Sequence, residues 1–520
     1  MNWRWLRTRS MASHPPPGST EGYDRGFRRT LARVRRLIAL AHLLGGLILG
    51  LALAALIPLG WSIWTEDGAY RALALVAAPG ALLGLALGWP QWRRKTRLDL
   101  PARDGCLLVV LATVTMAALA GLPFWLHRPE IGLDAALFEG LAALTTTGLS
   151  RLGAPEWWPE SLQLWRHLVQ WLGGMGIIVL AVAVLPLLGV GGMQLFRADT
   201  PGPMKDTRLA PRIMQTARYL WLVYLLLTLA CGLALVSVGM PVFDAICHAL
   251  STVSLGGFST RSGGVDDWDS PYIEAVLIVF MLLAAFNFTT HFLALRQRSL
   301  TAYQRDPETG AILVLVFGSL IALLGLTVME RPDSDWLEHL RHLAFATVSM
   351  ATSAGFASIH DPDWPPLPGL WLMLLAALVA SSGSTGGGIR MIRTLILIKQ
   401  ALRELLRMSH PRAVRPLLLG GQVISPEVVQ SVLGFMLLYG VTLLGLTAAL
   451  VATGLDGGAA FGLVMAGLNN GGEAFTALGL APDVTGLSAV QAGILAFAML
   501  AGRLELLIVF VLFSPGFWRR

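Results

Sequence analysis

The sequence predicts an all-α polytopic membrane protein, with about ten transmembrane helices and four shorter re-entrant half-helices. Three observations lead there. Hydrophobic residues make up 55% of the 520-residue chain and charged residues only 14%, where a soluble domain carries roughly 25% charged residues. Apolar runs recur along nearly the whole length, and mean hydropathy is +0.63. Four shorter segments look like versions of one another, and each passes from an apolar run into a small, polar, glycine-bearing turn.

A crossing helix needs about 20 apolar residues. Runs of that kind cover residues 37–60, 72–90, 105–126, 168–190, 219–240, 272–288, 311–329, 367–397, 428–452 and 487–513. The segments between them alternate in charge. Nine arginines from Arg4 to Arg36 precede the first run. Arg93, Arg94, Lys95, Arg97 and Arg103 follow the second, and Arg197, Lys205, Arg208, Arg212 and Arg218 follow the fourth. Arg296, Arg298 and Arg305 follow the sixth. A basic stretch with Arg390, Arg393, Lys399, Arg403, Arg407, Arg412 and Arg415 closes the eighth, and the chain ends Arg519–Arg520. The other side carries Glu66, Asp67, Asp266, Asp267, Asp269, Glu330, Asp333, Asp335, Asp361, Asp363 and Asp483. The positive-inside rule then places both termini in the cytoplasm and the four short segments on the outer side of the membrane. The outer acids would raise the local cation concentration; ordinary loop solubility explains them equally well.

The first long apolar run starts only near Leu37, behind an Arg-rich stretch, so the start of the chain reads as a cytoplasmic segment and not a cleavable signal peptide. The net charge of +7 sits beside the spans, which assigns it to topology and sets nucleic acid aside. Cys106, Cys231 and Cys247 lie in or beside apolar runs at unrelated spacings, and imply neither a disulfide framework nor a zinc site.

The four short segments read LFEGLAALTTTGLS (137–150), VFDAICHALSTVSLGGFS (242–259), LRHLAFATVSMATSAGFAS (340–358) and AFGLVMAGLNNGGEAF (460–475). Non-helical backbone at membrane depth must line a polar cavity, and four such dips suggest a ring around one axis. With Gly148, Gly257, Gly355 and Gly472 taken as equivalent, the spacings are 109, 98 and 117 residues; the second turn could instead align on Gly256. The unit is span, half-helix, polar turn, span. The expected organisation is a basic N-terminal segment (1–36), a two-helix preface (37–92) and four repeats (93–196, 197–298, 299–416 and 417–520).

A permeating cation must exchange water for oxygen ligands, and backbone carbonyls can supply them. Glycine reaches backbone angles that a Cβ forbids, and each half-helix aims its partly negative C-terminal end at the ion. The candidate filter is therefore Thr146, Thr147 and Gly148; Leu255, Gly256 and Gly257; Ser353, Ala354 and Gly355; and Asn470, Gly471 and Gly472. Inside the eighth run, Gly383–Ser384–Thr385–Gly386–Gly387–Gly388 cannot hold a good helix, since each glycine costs about 0.8–1 kcal/mol relative to Ala. It reads as a flexible constriction below the filter, or as a glycine-mediated helix contact. Arg503 and Glu505 are charges within the last run, two residues apart, and so call for different partners. Arg166 and His167 suit interfacial or structural roles, and His248 and His342 suit packing or hydrogen bonding. An intramembrane enzyme would need a base beside its Ser and Thr clusters, and none stands out. No Gly-x-Gly-x-x-Gly in a βαβ context and no Walker A motif occurs, so this chain is expected to bind no nucleotide.

The chain resembles the Trk/Ktr/HKT superfamily of potassium transporters, in its TrkH-type branch. The resemblance rests on LWRHLVQWLGGMGIIVLAVAVLP (164–186), RADTPGPMKD (197–206), SGSTGGGIRMIR (382–393), AGRLELLIVFVLFSPGFW (501–518) and the four turns. It implies potassium as the transported ion at the filter, one pore per protomer in a homodimer, and a gating role for the 383–388 loop facing Arg503. It further implies a cytosolic, TrkA-like ring of nucleotide-binding RCK subunits, for which residues 197–218 and 390–415 are docking candidates. A filter glycine goes with potassium selectivity in this superfamily and a serine with sodium; all four positions here can be glycine, which favours potassium, while Glu473 and the drifted second turn keep a sodium-permeable or cation-coupled member as the alternative. One departure stands out: where the family's fourth turn reads like Asn-Asn-Leu-Gly-Pro-Gly, this chain has Asn469–Asn470–Gly471–Gly472–Glu473–Ala474. Glu473 could attract cations or turn away into an outer hydrogen-bond network.

Overall fold

The computed structural model describes residues 20–92, 102–183, 209–330, 336–358, 366–412 and 415–518. Arg93, Arg94, Lys95, Arg97, Asp333, Asp335, Asp361, Asp363, Arg519, Arg520 and residues 197–206 therefore lie outside the described residues. The chain is mostly helical. In order, the helices are α1 (Thr20–Ala54), α2 (Leu56–Thr65), α3 (Tyr70–Trp92), α4 (Ala102–His127), α5 (Leu133–Leu144), α6 (Glu160–Ala183), α7 (Leu209–Ser237), α8 (Val242–Ser254) and α9 (Pro271–Ala285). There follow α10 (Phe288–Gln297), α11 (Pro307–Glu330), α12 (Trp336–Ala351), α13 (Pro366–Leu378), α14 (Met391–Ser409), α15 (Pro426–Ala452), α16 (Gly457–Asn469), α17 (Ala489–Arg503) and α18 (Leu506–Val511). One-turn helices and a two-residue hairpin (Leu418–Leu419 with Gln422–Val423) complete the described chain.

Six stretches are long and apolar enough to cross a membrane: Arg36–Thr65, Tyr70–Trp89, Arg103–His127, Ala217–Ser237, Pro307–Thr327 and Pro426–Ala452. In each, less than two fifths of the apolar window is buried in the protein. The remainder is the surface that lipid covers, as at Leu233 and Ile321. This is a multi-pass membrane protein.

Of the other four expected runs, one is described only in part and three are broken. α6 is described only to Ala183, with the rest of its run outside the described residues. The 272–288 run ends at Ala285 and turns 95° into α10. There Asn287 caps α10 by accepting the Thr289 amide at 2.9 Å. The backbone groups freed at the bend, Ala285 O and Phe288 N, pair with Ser381 N and Gly383 O of the glycine loop. The 367–397 run is split into α13 and α14 by that loop. The last run breaks after Arg503, where Glu505 takes a left-handed φ of 65°.

The half-helices α5, α8, α12 and α16 occupy the centre, where polar as well as apolar side chains are buried. Each packs within its own hairpin and also against the second long helix of another. α8 touches α6, α12 touches α9, α16 touches α13, and α5 touches α17. The last of these contacts joins the first unit to the fourth and closes a circle.

Close approach seats the first half-helix. A Cβ on Gly121 of α4 would lie 2.1 Å from the Ala136 carbonyl of α5, and one on Gly140 would lie 2.2 Å from Ala117 O. Nothing lies within 4 Å of a Cβ on Gly46 of α1. Gly121→Leu is expected to destabilise by about 1–3 kcal/mol through overpacking, lowering Tm in detergent. Gly46→Leu should leave Tm unchanged; equal effects from both would contradict this seating.

Candidate functional site

The four half-helices end alike. Immediately after the helix, or one residue later, comes a non-glycine residue in the left-handed region: Thr146 (φ 52°), Leu255 (53°), Ser353 (57°) and Asn470 (51°). Two residues on comes a glycine at positive φ: Gly148 (75°), Gly257 (76°), Gly355 (76°) and Gly472 (67°). Side chains seldom adopt this backbone, and each instance costs on the order of 1–3 kcal/mol unless its surroundings impose it. The repeat of one conformation at four places fixes the register that the sequence leaves open: Gly257, and not Gly256, is the counterpart of the other three.

The turns touch one another in order. A Cβ on Gly148 would lie 2.1 Å from Gly256 O, one on Gly257 2.3 Å from Ala354 O, and one on Gly355 2.5 Å from Gly471 O. The seam between fourth and first is a hydrogen bond, Asn470 Nδ2 donating to Thr147 Oγ1 at 2.8 Å. All twelve candidate filter residues are buried in this ring. Thr146 Oγ1 and Asn470 Oδ1 are buried there without a hydrogen-bond partner, the condition in which a buried oxygen awaits a water or an ion.

α6 holds the second turn from behind. Gln170 donates through Nε2 to Gly256 O at 2.8 Å and accepts Ser251 Oγ at 2.7 Å. His167 Nε2 lies 3.2 Å from Phe258 O. Arg166 donates to Ser259 O at 2.8 Å and pairs with Glu139 of α5 at 3.4 Å. In the third turn, Gly355 O accepts the Ala474 amide at 3.0 Å, and Ser349 Oγ donates to Phe356 O at 2.8 Å.

The glycine loop lies under the ring. Gly387 N donates to Ser353 Oγ at 2.9 Å and Thr385 Oγ1 to Val253 O at 3.1 Å. A Cβ on Gly387 would lie 2.4 Å from Asn469 O. The loop therefore meets the C-terminal ends of α8, α12 and α16. Arg503 reaches it from the far side, donating to Thr385 O at 2.7 Å and to Gly173 O at 3.1 Å. Beneath loop and arginine lies a cavity of only about 10 Å³, lined by Gly386, Gly388, Arg390, Tyr439, Arg503 and Glu505 among others. That is at the threshold for one water. Arg503 and Glu505 do take different partners: Glu505 pairs with Arg393 at 2.9 Å and Arg390 at 3.8 Å. Those two arginines are thereby turned inward, which removes them from the expected cytosolic docking stretch.

Above the ring lies a cavity of about 200 Å³, lined by Leu149, Ser150, Arg166, Phe258, Ser259, Glu473 and Asp483 among others. Glu473 thus faces this vestibule, and not the outer hydrogen-bond network that was one of its two expected settings.

Sequence reading passed over Gln170 and Glu308. The carboxylate of Glu308, at the start of α11, accepts Ser381 Oγ (2.7 Å), Ser382 Oγ (3.0 Å), Ser382 N (3.1 Å) and Ile392 N (2.9 Å), clamping both ends of the glycine loop. The signal available was a pair of acids, Asp306 and Glu308, at the edge of an apolar run on the side where arginines dominate.

Residues 77–519 match the family model of TrkH, described as a cation transport protein. The Trk system potassium uptake protein TrkH of Escherichia coli K12 is 40% identical over 483 residues, which covers 92% of this chain and 99% of that protein. The Halomonas elongata protein of the same name is 40% identical over 487 residues, covering 92% and 98%. The crystal structure of the potassium transporter TrkH from Vibrio parahaemolyticus superposes with a TM-score of 0.83 at 35% identity, covering 94% of this chain and all of that one. The ring, the loop beneath it and the long apolar helices around them are thus the frame of a membrane cation transport protein. The chain belongs to the TrkH family.

Gln170→Leu keeps the side-chain volume but leaves Gly256 O and the Ser251 hydroxyl unpaired. A loss of about 1–3 kcal/mol is expected for such buried groups, seen as a lowered Tm in detergent; an unchanged Tm would mean that the contact does not hold the turn.

Proposed function

We propose that this protein takes up potassium across the bacterial inner membrane, through the axis ringed by the four turns. The observation that carries the reading is the ring itself: four left-handed turns at the C-terminal ends of four half-helices, each with its glycine packed on the next turn. Half-helix C-termini and backbone carbonyls suit a dehydrated monovalent cation, and the relatives are named as potassium uptake proteins. The transported potassium ion is substrate, and the relatives' names speak for transport and not catalysis.

The loop 383–388 with Arg503 is the gate. A buried guanidinium that spans from the loop to α6, with a small cavity behind it, repels cations until loop and arginine separate. Opening would draw on a cytosolic nucleotide-binding ring, for which the exposed part of α14, with Lys399, Arg403 and Arg407 beside exposed Leu402 and Leu405, offers a surface. The chain itself binds potassium and no nucleotide, works as a homodimer, and keeps both termini in the cytoplasm.

Gly148→Ser tests the filter. With φ at 75° and Gly256 O where its Cβ must go, the first turn has to shift. The ratio of potassium to sodium flux into proteoliposomes is expected to fall roughly tenfold, equivalent to about 1.4 kcal/mol. An unchanged ratio would remove the filter assignment, and equal sodium flux in the unmodified protein would select the sodium-permeable alternative. Arg503→Ala is expected to raise basal potassium flux several-fold; unchanged or lower flux would count against the gate.

A further inference from the structure

We propose that Glu308 is the positioning residue of the gate. It holds the two feet of the glycine loop so that the Thr385 carbonyl meets Arg503, and it links that contact to the segment 285–309. The inference rests on the gate reading above and adds to it the group that sets the loop's place.

The first support is the geometry of the carboxyl group. Glu308 is buried at the start of α11. Its Oε2 accepts Ser381 Oγ at 2.7 Å. Its Oε1 accepts Ser382 N at 3.1 Å, Ser382 Oγ at 3.0 Å and Ile392 N at 2.9 Å. One oxygen thus takes an amide from each foot. Burying a carboxyl group is costly unless its oxygens are hydrogen-bonded. Among the described residues, all of its donors are neutral and belong to the loop or to the first turn of α14.

The second support is what lies between the feet. Thr385 and the three glycines after it stand outside any helix. Such a stretch has little stiffness of its own, so the place of Thr385 O is set by attachments. Gly387 N on Ser353 Oγ and Thr385 Oγ1 on Val253 O hold the middle to the ring. Ile389 N on Ala377 O and Met391 N on Ala380 O join the second foot to the first. Glu308 ties both feet to a third element, α11. Without it they lose the acceptor they share, and the carbonyl that receives Arg503 at 2.7 Å is no longer held against it.

The third support is what Glu308 stands on. Its amide donates to Asp306 Oδ1 at 3.0 Å, and Asp306 Oδ2 accepts Thr290 Oγ1 of α10 and Thr309 Oγ1, each at 3.0 Å. His291 of α10 lies 2.7 Å from both Tyr303 Oη and Leu283 O. The elbow between α9 and α10 meets the first foot through Phe288 N on Gly383 O at 3.0 Å and Ser381 N on Ala285 O at 3.3 Å. Residues 285–309 therefore form one tied unit that reaches the loop at two points, the elbow and Glu308. Its exposed side carries Leu295, Arg296 and Arg298, on the face that the charge pattern assigns to the cytoplasm. A displacement of the unit there is carried to the loop.

The test is basal potassium flux into proteoliposomes holding the purified full chain, per amount of protein in the folded size-exclusion peak. It compares the unmodified protein, Glu308→Leu, Glu308→Gln, Arg503→Ala and the double variant of Glu308→Leu with Arg503→Ala. Glu308→Leu is expected to raise flux about fivefold, the low end of the coupling usual between two sites, with the potassium to sodium ratio unchanged. Glu308→Gln, which keeps an oxygen for the two amides, should bring most of that rise back down. The double variant should match Arg503→Ala alone, since residues that act through one contact are not additive. A folded Glu308→Leu with unchanged or lower flux overturns the inference, as does a double variant in which the two effects multiply. Glu308→Gln as leaky as Glu308→Leu overturns the acceptor role. A relaxed potassium to sodium ratio in Glu308→Leu overturns it too, because the damage has then spread to the ring. Should Glu308→Leu fail to fold, Ser381→Ala combined with Ser382→Ala removes two of the donors and decides in its place by the same outcomes. Flux raised by Arg503→Ala but not by Glu308→Leu would sink this proposal and leave the gate standing. Neither substitution raising flux would sink both.

Discussion

A helix that enters a membrane and stops halfway leaves its last carbonyls where no water can reach them, and everything distinctive in this protein answers that constraint. The carbonyls of α5, α8, α12 and α16 end at the centre of the molecule. Each chain then reverses through a left-handed residue and a glycine at positive φ, a path that is strained in isolation and persists because the neighbouring turn occupies the space a Cβ would need. Turn geometry and ring packing are therefore one requirement. No turn could hold its shape without the next, and the strained residue in each becomes affordable only in the assembled ring.

The same setting governs the buried charges. Charges at membrane depth persist when paired or directed at polar backbone, and both solutions occur. Glu139 with Arg166, Glu274 with Arg341 and Glu505 with Arg393 tie separate elements of the bundle. Among the described residues Arg503 has no carboxylate partner, and it donates to two carbonyls. A guanidinium held this way is less firmly satisfied than one in an ion pair, which fits a contact that is made and broken. Glu308, by contrast, accepts hydrogen bonds from both feet of the glycine loop.

Much of this was legible in the residues. The six continuous spans follow from hydropathy and length alone, and the four turns from recurring glycine beside small polar residues. The glycine loop was visible because four glycines in six positions defeat a helix. What could not be read were the contacts made at long range. The local mark of the bend after Ala285 is the capping residue Asn287; the partners of the backbone groups freed there come from a loop about a hundred residues later. Gln170 and Glu308 look ordinary in sequence because their meaning lies in what they touch. Arg390 and Arg393 were grouped with the surface charges by sequence neighbourhood, yet one carboxylate in the last helices draws both inward. The register of the second turn stayed open because Gly256 and Gly257 are chemically alike and differ only in φ.

The seam of the ring joins Asn470 to Thr147, residues 323 positions apart, while the other three junctions link neighbouring units. During synthesis the N-terminal units emerge first, so three turns can meet before the fourth exists. Until the segment that carries Asn470 is made, the incomplete ring has an open flank, with Thr147 lacking its partner across the seam. A four-subunit ring could close in any order; this one, written along a single chain, has a fixed last step. Loss of its C-terminal end would therefore remove more than one wall, since it would also withdraw the contact that makes the first turn's conformation tenable.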